Sequence, residues 1–177
     1  ENRIRFFYQE NGGANTARLF GLRKARGEYI ALIDDDDIWV PNKLQKQVEF
    51  LDTYPEVDLI FSDFYNFNEQ GLYPKSVLNS VKIFRKIPTQ IVSNISSNAH
   101  LFTNNILYDY MRGYFILQST LLARKEICEK FEIFNTKTNG REFYEFALRA
   151  IHLLRIGFID ETLAYWRTHE NNVTHNI

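Results

Sequence analysis

The chain has 177 residues, a formal net charge of -1 and 45% hydrophobic side chains, enough for a substantial core. A charge this close to zero leaves no footprint for nucleic acid, and no apolar run reaches the roughly 18 residues of a membrane-spanning helix. The single Cys128 excludes an internal disulfide framework, which fits a reducing compartment.

Ile4, Phe6 and Tyr8 alternate with Arg3 and Arg5, which predicts a strand over 3–8. Asn11-Gly12-Gly13 punctuates, and a helix is expected from about Ala14 to Arg26. Its stripe of Ala14, Ala17, Gly21 and Ala25 suits close packing on a sheet, and Gly27 supplies the stop. Tyr29 to Ile33 is an unbroken apolar run, read as a strand buried on both faces of a parallel sheet. Strand, helix and strand would then form a right-handed crossover unit.

Pro41 opens the next expected helix, with Leu44, Val48 and Leu51 facing inward and Pro55 closing it. Asp58 to Phe61 reads as a strand that continues through Asp63, Tyr65 and Phe67 to a turn at Asn68-Glu69-Gln70-Gly71. Residues 76–112 have a weaker pattern, read as a variable excursion over the ligand edge of the sheet with a short helix near Leu101 to Leu107. Tyr114 to Ala123 is expected as a strand and Arg124 to Phe131 as a short helix. A longer helix over Gly140 to Arg155 carries Phe143, Phe146, Ala147, Ala150, Ile151 and Leu154 inward. Gly157 ends it, and two short strands follow, at 158–160 and 163–166. Nothing splits the chain, so residues 1–177 are expected as one domain.

The chemistry concentrates at Asp34-Asp35-Asp36-Asp37. Four successive carboxylates repel one another, and at least one pKa should rise unless a cation sits there. In an open α/β sheet, ligands bind beyond the carboxyl ends of the strands. Carboxylates at that place suit Mn2+ or Mg2+, with water and phosphate oxygens completing the shell. A solvated acidic loop is the plainer alternative.

Asn11-Gly12-Gly13-Ala14-Asn15-Thr16-Ala17-Arg18, then Gly27-Glu28-Tyr29-Ile30, then Asp34 through Leu44 form an ordered string. This string resembles the central block of the family 2 glycosyltransferases of the GT-A fold. Tyr114-Phe115-Ile116 with Gln118-Ser119 is similar to the family's acceptor-side segment, and Tyr165-Trp166-Arg167-Thr168-His169 to its closing motif. The resemblance implies an α/β fold with a mostly parallel central sheet flanked by helices. It also implies that the family's first strand, helix and strand are missing before Glu1, leaving an unpaired sheet edge.

By the same resemblance the activity is metal-dependent, inverting transfer of a sugar from a nucleotide-diphosphate donor to an acceptor hydroxyl. The donor would be UDP- or dTDP-linked, and the acceptor a glycan, a lipid-linked molecule or a protein, in glycan or polysaccharide biosynthesis. Such an enzyme is expected in the cytoplasm, peripherally associated with the inner face of the membrane. Asp34 and Asp36 correspond to the family's DxD motif. Asp36 is the expected direct metal ligand, Asp34 a contact to metal or ribose, and Asp37 a residue orienting the loop or the sugar hydroxyls. His169 is expected as a third ligand or a diphosphate contact, beside Arg167. Gly12, Gly13 and Arg18 fall on the donor side, and Trp39, Gln118 and Ser119 on the acceptor side.

The family commonly has Glu-Asp where this chain has Glu142-Phe143. Glu142 is then the expected general base, with Asp63 and Glu145 as weaker candidates; Glu145 also has Arg149 at i,i+4. Loss of the base would leave a different protein, a catalytically silent sugar-nucleotide or glycan-binding module. A nucleotidyltransferase would need a glycine-rich basic phosphate loop, which this sequence does not show.

Overall fold

The computed structural model describes residues 3–92, 98–132 and 142–169, Glu142 by its backbone alone. In chain order, Ala14–Lys24 forms α1, Tyr29–Ala31 β1, Ile38–Trp39 β2, Lys43–Thr53 α2 and Leu59–Asn68 β3. Gly71–Leu72 is β4, Val77–Ser80 α3, Thr89–Ile91 β5, Ala99–Phe102 β6 and Leu107–Arg112 α4. Leu122–Arg124 is β7, Lys125–Lys130 α5, Glu142–Leu153 α6 and Ile156–Arg167 β8. Phe84–Lys86 and Gln118–Thr120 are 3-10 turns.

The strands join in one sheet of order β1-β7-β3-β8-β6-β5, with β2 on β8 and β4 on β3. The expected mixed α/β architecture holds. The pairing is a correction: β3 and β8 run parallel, while every other pairing among the described residues is antiparallel. β7 enters between β1 and β3 against both, and the 76–112 excursion contributes β5 and β6 to the far edge. Leu101 and Phe102 therefore belong to a strand, and the helix starts only at Leu107.

β3 is the centre of the core, because the alternation of a strand sends successive residues to opposite faces. Leu59 and Phe61 join Phe84, Tyr110, Phe115, Phe158 and the α6 residues Phe146, Ala150 and Ile151. Ile60 faces the other way, onto Phe50 and Leu51 of α2 with Leu122, Ile159 and Leu163. The two strands expected after α6 are one, β8, bent where its register with β3 slips between Ser62 and Phe64.

Several local expectations change for a physical reason. Residues 3–8 form no strand, and Ile4, Phe6 and Tyr8 are exposed, because an extended segment needs a neighbouring backbone and none of the described residues supplies one. The segment instead leans on α1 through Phe7 against Phe20, ring centroids 6.1 Å apart. α1 turns Ala14, Ala17 and Gly21 outward and buries Leu22. β1 is half-buried rather than covered on both faces. The buried face of α2 is Lys43, Gln47, Phe50 and Leu51, and Leu44 points out. Tyr114 to Ala123 becomes the 3-10 turn with strand only from Leu122. No helix among the described residues is long and apolar enough to cross a membrane.

Gly157 does not stop α6; it lies inside β8. A Cβ there would meet Phe50 Cζ at 2.8 Å and the His100 carbonyl at 3.2 Å. Gly157→Ala should lower the unfolding free energy by about 1–3 kcal/mol through overpacking, read as a lower urea midpoint.

Candidate active site

The four aspartates leave β1 in a tight turn that closes when Asp37 N donates to the Asp34 carbonyl at 3.1 Å. β2 follows at once and pairs Ile38 with Tyr165 and Trp39 with Ala164, which ties the turn to the end of β8. This pairing brings Arg167 and His169, more than 130 positions later, against the carboxylates.

The environments of the carboxylates differ. Asp34 accepts from Arg18 Nη2 at 3.3 Å and from Gln118 Nε2, and its amide donates to Ser119 Oγ at 3.2 Å. Both of its carboxylate oxygens are engaged. Asp35 is exposed. Asp36 Oδ2 lies 3.0 Å from His169 Nε2, and the Asp36 carbonyl accepts from Arg167 Nε at 3.2 Å. Asp37 is buried; its Oδ1 accepts from Arg167 N at 3.1 Å, and its Oδ2 has no hydrogen-bond partner among the described residues.

Burial pushes the Asp37 carboxyl up to about 6, and the charges of Asp34 and Asp36 push the same way. Hydrogen bonds from the Ser119 side chain and the Arg167 amide pull it back only in part. The rise anticipated for one member of the acidic run therefore falls on Asp37.

Trp39 and Ser119 lie together beside Gln118, with Trp39 Nε1 donating to the Ser119 carbonyl at 2.6 Å. Gly12 and Gly13 act locally. Gly13, at φ 85°, precedes α1, and its amide donates to Asn11 Oδ1 at 3.1 Å. Thr16 Oγ1 donates to the Gly12 carbonyl at 2.7 Å. Arg18, one turn further on, is the α1 residue that touches the acidic turn.

Of the base candidates, Asp63 is committed to structure. It is buried, and its Oδ1 accepts from the amides of Phe64 at 2.8 Å and Leu78 at 3.0 Å, capping α3. Glu145 pairs with Arg149 at 2.7 Å as its i,i+4 spacing anticipates. The side chain of Glu142 lies outside the described residues; its backbone opens α6.

Sequence reasoning missed Lys43 and Gln47. The available signal was spacing: with Phe50 and Leu51 they stand at i, i+4, i+7 and i+8, one face of one helix.

The sequence profile described as Glycosyl transferase family 2 matches residues 1–131, and the chain belongs to that family. An uncharacterized glycosyltransferase of Rickettsia typhi is 25% identical over 173 residues, covering 98% of this chain and 50% of that protein. Glycosyltransferase GlyG of Streptococcus pneumoniae is 28% identical over 181 residues, covering 98% of this chain and 55% of its own length. The chain thus spans about half the length of these relatives. Among solved structures, Staphylococcus aureus TarS residues 1-349, in complex with UDP-GlcNAc, shares the fold. It has a TM-score of 0.61 at 20% identity, over 94% of this chain and 42% of that one.

Asp37 ionises near 3.8 when unfolded and near 6 in the fold, so the native state binds the extra proton between these values. Its contribution to stability falls as pH rises from about 4 to 6 and stays low above. In EDTA, Asp37→Asn should therefore gain on the parent across that window, by about 3 kcal/mol between pH 4 and pH 7 in urea unfolding. A constant difference from pH 4 to 8 would contradict the assignment.

Proposed function

We propose that the acidic turn holds the diphosphate of a nucleotide-sugar donor through a divalent cation, for inverting transfer of the sugar to an acceptor hydroxyl. The observation that carries this reading is the approach of Asp36 Oδ2 to His169 Nε2 at 3.0 Å, beside the unpartnered buried Oδ2 of Asp37. A fold built only for stability gains nothing from gathering three carboxylates and leaving a buried oxygen unpaired. UDP-GlcNAc bound to TarS supports the donor class, a UDP- or dTDP-sugar. A teichuronic acid biosynthesis glycosyltransferase of Bacillus subtilis, TuaG, is 46% identical over 52 residues, 29% of this chain and 21% of that protein. That likeness supports a role in polysaccharide synthesis.

The donor set fits the cation in part. Asp36 offers a hard oxygen, Asp37 an unused one and His169 an imidazole nitrogen, a mixture that suits Mn2+ better than Mg2+. Asp34 is the poorer ligand because Arg18 and Gln118 already occupy its oxygens. Among the described residues no three acidic, Cys or His side chains make a ready-made ligand set, so donor oxygens and water complete the shell. When bound, the ion neutralises charge developing on the leaving diphosphate.

The chain's own residues do the rest. Asp34, fixed by Arg18 and Gln118, orients the turn and offers its edge to the ribose. Trp39, Gln118 and Ser119 wall the acceptor side. Glu142 takes the proton from the acceptor hydroxyl as its oxygen bonds to the anomeric carbon and the bond to the diphosphate breaks. The residues that would hold the ion and the diphosphate lie on elements of this chain.

Asp36→Ala should reduce Mn2+-dependent UDP binding by tenfold or more in calorimetry, with the urea midpoint unchanged. Glu142→Gln should leave that binding intact and slow sugar transfer by about 10²–10⁴-fold. Transfer that persists in Asp36→Ala would remove the metal role.

A further inference from the structure

Lys43 is fully buried, at 0% exposure, in the first turn of α2. An ammonium in such a place normally faces a carboxylate. Here its partners are neutral: Gln47 Oε1 at 2.6 Å, the Leu121 carbonyl at 3.4 Å and the Trp39 ring at 4.3 Å from its centroid. Burial alone pushes the Lys43 ammonium down to about 7.

The arrangement becomes intelligible from the carbonyls of the 3-10 turn and the residue after it. Trp39 Nε1 donates to the Ser119 carbonyl at 2.6 Å, Gln47 Nε2 to the Thr120 carbonyl at 2.8 Å, and Lys43 Nζ to the Leu121 carbonyl. Three successive carbonyls are gripped by three side chains, and Lys43 touches the other two of those side chains. On its opposite side the same turn sends Gln118 Nε2 to the Asp34 carboxylate and Ser119 Oγ to the Asp34 amide.

We propose that Lys43 is a positioning residue for the acidic turn, acting with Gln47 and Trp39 as a clamp on residues 119–121 that sets Gln118 and Ser119 against Asp34 and Asp37. This rests on the donor-site reading above for its catalytic consequence, and on the hydrogen bonds alone for its geometry. A buried ammonium without an ion pair is a poor stabiliser, and an apolar side chain of similar length fills the same volume without the desolvation cost. Stability therefore does not account for a lysine here. Directional donation to the carbonyls does, since a methionine packs but does not donate.

The test separates positioning from stability in the full chain. Lys43→Met should keep or raise the urea midpoint. Hydrogen exchange at the Asp34 and Asp37 amides should accelerate tenfold or more, while the β3 amides keep their protection. Mn2+-dependent UDP affinity should fall about tenfold. Gln47→Leu, which frees the Thr120 carbonyl and takes the nearest partner from the Lys43 ammonium, should accelerate exchange at the same amides with a lower urea midpoint. Unchanged exchange at Asp34 and Asp37 overturns the proposal, as does a variant that fails to fold or loses protection everywhere, because then Lys43 is structural. A parent chain that binds no UDP defeats the donor-site reading instead, and the exchange data still decide the clamp. Accelerated exchange with UDP affinity unchanged removes the catalytic consequence.

Discussion

The structure depends on how four adjacent carboxylates are kept at the end of one short strand. Like charges about 4 Å apart repel by about 4 kcal/mol at an effective dielectric near 20, so an undifferentiated cluster would open the turn. The chain answers by giving each carboxylate a separate environment. Asp34 is held by a guanidinium and an amide, Asp35 goes to solvent, Asp36 meets an imidazole, and Asp37 is buried and held toward its protonated form. None of these partners is local in sequence apart from Arg18, 16 positions away. The sheet order follows from the same need: β2 must pair with β8 to bring Arg167 and His169 back, and β7 must follow the 3-10 turn to bring Gln118 and Ser119 in.

That constraint explains why β3 and β8 form the one parallel pair among the described residues and carry the deepest core. The segments of the candidate site sit at the ends of strands, and strands hold their ends best where both faces are packed. Phe61 and Phe158, with ring centroids 5.7 Å apart, fill one face, while Phe50 and Leu51 of α2 fill the other. The glycine at position 157 lets Phe50 reach the sheet. α2 thus has two tasks on one face: Phe50 and Leu51 seal the core, and one to two turns earlier Lys43 and Gln47 reach the 3-10 turn.

The sequence was legible where local chemistry decides the outcome. The acidic turn after an apolar strand, the turn at Gly71 and the inward stripe of α6 all follow from residue types and spacing, while Arg167 and His169 were singled out only through the family resemblance. It was illegible where a partner decides. Ile4, Phe6 and Tyr8 alternate as a strand should, yet alternation supplies side chains and not the neighbouring backbone that makes a ladder. The apolar run at 29–33 signalled a strand but neither its half-burial nor its direction, because β7 pairs antiparallel just as readily. On α2 the eye follows apolar residues, and Leu44 drew it to the wrong side. Lys43 and Gln47 are buried polar groups whose acceptors are carbonyls, and carbonyls have no signature in a sequence.

On the proposed donor-site reading, a cation would compete with the proton that burial holds on the Asp37 carboxyl. A carboxyl that keeps its proton up to about pH 6 is nearly neutral below that value and offers a cation little. Its Oδ2, without a hydrogen-bond partner among the described residues, carries a desolvation cost of about 1–3 kcal/mol. A positive charge arriving beside Asp36 and His169 would lower the Asp37 pKa and give that oxygen an electrostatic partner. A second layer of hydrogen bonds holds the turn in place. Arg18 and Gln118 fix Asp34, Arg167 fixes the Asp36 carbonyl and the Asp37 carboxylate, and the clamp through Lys43 fixes Gln118 and Ser119 in turn. The arrangement is lost if any layer softens, so the residues that matter to the site extend well beyond those able to touch a ligand.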